Sequence, residues 1–180
     1  MSVSGYSGQR VWLHWLSAAV IIWTLASGFY VAMVEVPVRI SQWVAFINVS
    51  LTTVFIPFFV WRLGIFVAHV RSMDLSILSV EKKLVFFVHT LIYFVVTVVL
   101  ATGVLMMDRP IDVFGVVEIA QPLSDPALIA RFFTIHVWSC LFLSLLIAVH
   151  VGAVIVHELC GHRVLRRMSL CDRVRSEQIE

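Results

Sequence analysis

Charged residues are scarce in this chain: Asp, Glu, Lys and Arg make up 13% of its 180 residues, while 61% are hydrophobic and the mean hydropathy is +0.99. A soluble domain is about one-quarter charged and about half apolar, so this balance excludes one and implies an integral membrane protein. No carboxylate falls inside any long apolar stretch, which weighs against a small proton or metal transporter that uses intramembrane histidines as a relay. There is no glycine-rich nucleotide loop, which leaves direct oxidation of a nicotinamide without support, and no aromatic-basic module for nucleic acid. Three cysteines are present. Cys140 lies in the last apolar stretch and Cys160 and Cys171 follow it in a reducing tail, so all three read as bystanders rather than disulfide partners. The run HELCGH from His157 to His162 has the wrong spacing for the H-E-x-x-H zinc motif. No fixed-period repeat or low-complexity segment interrupts the chain, and residues 1–180 are expected to form a single domain.

Four stretches are long and apolar enough to span a bilayer at ~20 residues each: Val11 to Met33, Gln42 to Ala68, Leu84 to Met107 and Phe132 to His157. They predict an all-α membrane four-helix bundle in up-down-up-down order. The first is too long for a signal peptide and lacks a small-residue cleavage site, so it is expected to remain. Arg10, Arg62, Arg71, Lys82, Lys83 and the tail arginines 163, 166, 167, 173 and 175 fall on one side, and only Arg39, Arg109 and Arg131 on the other. Cytoplasmic loops accumulate such cations, so both termini are expected in the cytoplasm. The net charge of +2 is thus a topology signal. Trp12, Trp15, Trp43 and Trp61 sit near span ends, as interfacial aromatics do, and Pro57 lies within the second span. The longest loop, Asp108 to Arg131, carries three prolines and is placed to cap the periplasmic mouth.

The histidines carry the chemistry. His136 and His150 lie on one apolar helix, and fourteen residues at ~100° and ~1.5 Å each return them to nearly the same face ~21 Å apart, a spacing for two stacked redox centres. An ionisable side chain at such depth marks a functional site by default. His14, His89 and His150 share the cytoplasmic layer, whereas His136 is periplasmic and the residue at matching depth on the second span is Asn48. A haem b requires two axial imidazoles from different helices, small residues beside them and a group for its propionates. His14 and His150 meet the first need, Ser17, Ala18, Ala19, Ala148, Gly152 and Ala153 the second, and Arg62 the third. For His89 a ligand role, a quinone-side or supporting role and plain packing all stay open. His69, His157 and His162 read as solvated surface residues.

These segments resemble the bacterial cytochrome b561 family, four-helix haem b proteins related to the b-type cytochrome subunits of nickel-iron hydrogenases and formate dehydrogenases. The resemblance runs through RVWLHWLSA, VWRLGIF, VHTLIYFVVTVVLATGVLMM and IHVWSCLFLSLLIAVHVGAVIVHE, followed by VLRRM. It implies two haems b passing electrons between a donor and the quinone pool. It implies His14 and His150 as iron ligands on the cytoplasmic side and His136 on the periplasmic side. The departure is Asn48, which stands where the family pattern has the histidine that completes the periplasmic site. One haem at His14/His150 is therefore expected, with the second site either empty or five-coordinate through His136.

The favoured function is an inner-membrane haem b electron carrier of the respiratory chain exchanging electrons with quinone. A dehydrogenase, a periplasmic cytochrome or superoxide is the candidate second partner, and a homodimer a candidate assembly. The alternative is a redox-inactive membrane subunit or assembly partner built on the same scaffold.

Overall fold

The computed structural model describes residues 8–73 and 79–161. His162, Cys171 and the tail arginines lie outside the described residues. Four helices carry the chain: α1 Gly8–Met33, α2 Val38–Arg71, α3 Val80–Leu105 and α4 Pro126–Leu159. All four are long and apolar enough to cross a membrane. This is the expected all-α four-helix membrane bundle. The extensive helix contacts are α1 on α2 and α3 on α4, with a slighter contact joining α2 to α3.

Helix ends follow local chemistry. α1 stops short of Pro37, whose ring disfavours helical geometry in the residue before it, and α2 restarts directly after that proline. Asp125 caps α4: its carboxylate accepts from the Ala127 amide at 2.8 Å, and Pro126 fills the first helical position, where no amide is needed. α2 and α4 each run for 34 residues, longer than hydropathy alone indicates. At ~1.5 Å per residue each exceeds the ~30 Å apolar core, because a helix satisfies its own backbone and continues into the interface until a cap or proline stops it. α2 passes through Pro57 unbroken.

The third loop is more ordered than its prolines suggest. Ile111–Val113 (β1) pairs antiparallel with Val117–Ile119 (β2) through a turn at Phe114 and Gly115. Both turn residues have positive φ, 54° and 69°, and the Val116 amide donates to the Val113 carbonyl at 3.0 Å, as in a type I′ turn. The hairpin packs on α2 at one end of the bundle, hereafter the hairpin end; the opposite end, where α1 begins, is the basic end.

Between the ends lies a core of Val20, Phe55, Phe59, Val95, Val96 and Leu143, drawn from all four helices. Lipid tails are as apolar as these side chains, so close packing and interhelical hydrogen bonds hold such a bundle together. Trp12, Trp15, Trp43 and Trp61 are all about half exposed, the disposition expected of aromatics facing lipid or interface.

Candidate functional site

At the basic end four polar side chains from four helices converge. His14 comes from α1, Arg62 from α2, His89 from α3 and His150 from α4, and His14 is close enough to the other three for their charges to interact. Arg62 Nη2 donates to His14 Nδ1 at 3.0 Å. A guanidinium only donates, so Nδ1 accepts and the proton of neutral His14 lies on Nε2. The same guanidinium sits 5.2 Å from the Tyr93 ring centroid, within cation–π range. Tyr93 in turn stacks on Phe66 at 4.3 Å, which gives the cluster an aromatic floor.

His89 and His150 meet edge to face, with ring centroids 5.1 Å apart and planes at 86°. His89 Nδ1 donates to the Val85 carbonyl one turn earlier at 2.7 Å, which leaves its Nε2 with a free lone pair. That arrangement, one ring nitrogen anchored on a carbonyl and the other bare, is the usual preparation of a histidine for a metal or a hydrogen-bond donor. Ser17, fully buried beside this layer, turns its hydroxyl onto the Leu13 carbonyl at 2.6 Å and presents only a small apolar surface to the interior.

His136 stands apart, towards the hairpin end. Its Nδ1 donates to the Val99 carbonyl at 3.1 Å, with Thr102 Oγ1 at 3.2 Å, and the Cys140 thiol is 3.5 Å from its Nε2. Its ring lies so close to α3 that a Cβ on Gly103 would come within 3.3 Å of Cε1. Asn48 faces α1: its Oδ1 accepts from Ser27 Oγ at 3.0 Å and its Nδ2 points to the Thr24 carbonyl at 3.5 Å. The structure thus gathers His14, Arg62, His89 and His150, and joins neither His136 nor Asn48 to them.

The sequence model of a family described as prokaryotic cytochrome b561 matches residues 6–169. The chain belongs to the prokaryotic cytochrome b561 family. Membership makes it a membrane protein of b-type haem electron transfer. No curated protein matches the chain significantly. For a cytochrome b561, the donor set at the basic end fits a haem: imidazoles on separate helices, a cation for the propionates and a half-buried aromatic surround. The hairpin end does not fit one held between two imidazoles, because Asn48 offers an amide and turns it elsewhere.

Several of these neighbours escaped the sequence reading. Cys140 was detectable as the residue one turn beyond His136 on the same helix face. Val99, Thr102 and Gly103 were not, since only the pairing of α3 with α4 selects them. Tyr93 resembled any aromatic of an apolar span until Arg62 was placed over it.

Proposed function

We propose that this cytochrome b561 carries one haem b at its basic end, where His14 and His150 would hold its iron, and exchanges electrons with the quinone pool of the bacterial inner membrane. The observation that carries the reading is the convergence of His14, His150, His89 and Arg62, an expensive gathering of polar groups within apolar helices unless they serve a common ligand. Bound there, haem b supplies a one-electron carrier. The side chains do the rest. His14 and His150 hold the group from α1 and α4. His14 would hold the group through its Nε2, and Arg62, beside His14, would supply a cation for a propionate. His89, anchored on Val85, supports His150 and faces the side from which quinone approaches. The candidate donor is a dehydrogenase, a periplasmic cytochrome or superoxide, and a cytoplasmic position for both termini is supported by Arg10, the tail arginines and the Arg71, Lys82 and Lys83 loop on the same side.

Asn48 favours a second reading, a membrane subunit or assembly partner that keeps the scaffold without redox traffic. Haem per polypeptide, measured by pyridine haemochrome on the purified protein, separates the two. The electron-transfer reading expects one low-spin haem b per chain, lost in H14A and in H150A; protein that accumulates fully helical without haem refutes it and leaves the subunit reading.

A further inference from the structure

At the hairpin end the second span offers Asn48 rather than a histidine, and three contacts there share one character. Asn48 joins α2 to α1, with both ends of its amide engaged by Ser27 and Thr24. His136 joins α4 to α3: its ring lies against Gly103, its Nδ1 donates to Val99, and its Nε2 takes the Cys140 thiol. Ser50, two residues beyond Asn48 and 0% exposed, joins α2 to the hairpin, donating to the Asp112 carbonyl at 3.1 Å and accepting from the Phe114 amide at 3.0 Å. Ile111, 3% exposed, seals the same contact. Among the described residues, no buried side-chain nitrogen or oxygen is left without a hydrogen-bond partner.

Physical chemistry makes this coherent. A polar side chain within a bilayer must find a partner, and one that no longer faces a cofactor finds it on the adjacent helix. An asparagine amide, short and able both to donate and to accept, suits that purpose; an imidazole lying close against a glycine suits it equally.

We infer that this chain has replaced its second haem with a polypeptide clamp: His136 pairs α3 with α4, Asn48 pairs α1 with α2, and the Ile111–Ile119 hairpin closes that end through Ser50. The inference rests on the reading of a single haem at the basic end and deepens it. It makes the protein a carrier that exchanges electrons at one membrane face, because its second face is built to assemble rather than to ligate iron.

The test uses the full chain, purified in detergent or nanodiscs. Wild type is expected to hold one haem per polypeptide whose reduced spectrum does not change under carbon monoxide, since a haem held by two imidazoles offers no open position. His136→Gln is expected to keep that haem content and spectrum while amide exchange in residues 99–103 and 132–140 quickens by about tenfold, the loss of one cross-helix bond. A second haem in wild type, or a carbon-monoxide-binding haem that disappears in H136Q, overturns the inference. The wild-type measurement decides even where H136Q accumulates poorly. The two readings fail differently: haem that persists in H14A overturns the basic-end assignment, whereas a haem lost in H136Q alone overturns the clamp.

Discussion

Replacing Ser50 with alanine tests how the hairpin is held. The side chain is 0% exposed, and its hydroxyl bridges two backbone groups of the turn, the Asp112 carbonyl at 3.1 Å and the Phe114 amide at 3.0 Å. Alanine leaves both without that partner, and a stranded backbone group costs about 1–3 kcal/mol. Phe114 adds to the demand. At φ 54° it occupies a region that a bulky side chain rarely adopts, and such strain of about 1–3 kcal/mol persists only where surrounding contacts enforce it. The turn is further held by Asp112 Oδ1, which accepts from the Gly115 amide at 2.7 Å, and by an edge-to-face contact of Phe114 with Phe46, ring centroids 6.3 Å apart. We expect S50A to lower the opening free energy of the hairpin by about 2 kcal/mol, which corresponds to about 30-fold faster amide exchange at Val116 and through Val117–Ile119. Hydrogen–deuterium exchange with mass spectrometry reads this directly. S144A is the control, because that hydroxyl bonds only the Cys140 carbonyl of its own helix and no second element depends on it. Exchange in S50A equal to wild type would refute the claim that one hydroxyl clamps the hairpin to α2.

Two further substitutions test the basic end. Arg62→Gln removes a cation in contact with His14 and is expected to lower the haem midpoint potential, because a nearby positive charge disfavours the oxidised state. Arg62→Lys keeps the charge without the planar fork, so it should hold the potential closer to wild type while weakening the contact with Tyr93; equal potentials in all three proteins on potentiometric titration would remove Arg62 from the site. His89→Ala is expected to keep the haem content of wild type and to slow quinol-dependent reduction in stopped-flow spectroscopy; loss of haem would make His89 a ligand instead.

Much of the site was legible because membrane helices make sequence spacing nearly geometric. His14, Arg62, His89 and His150 each lie toward the same end of their spans, and in antiparallel helices of similar length equal depth brings side chains into one layer. Depth says nothing about azimuth. Which way a side chain turns around its helix depends on which neighbour the helix packs against, and that is why Asn48 proved to face α1 and His136 to lie on α3. The hairpin was hidden for a different reason. Its strands are three residues each, too short for a periodic signal, and its turn carries a phenylalanine where such turns usually take asparagine or glycine.

Composition and span length by themselves determined that this is a four-helix membrane protein, since ~20 apolar residues in lipid have no option but to satisfy their backbone as helix. The placement of its histidines determined which end brings imidazoles of separate helices to one depth. Only the tertiary structure decided which partners the polar side chains of the other end take. A polar side chain in a bilayer takes whichever partner the neighbouring helix offers, and at the hairpin end those partners are the hydroxyls, carbonyls and thiol of Ser27, Thr24, Val99, Thr102 and Cys140.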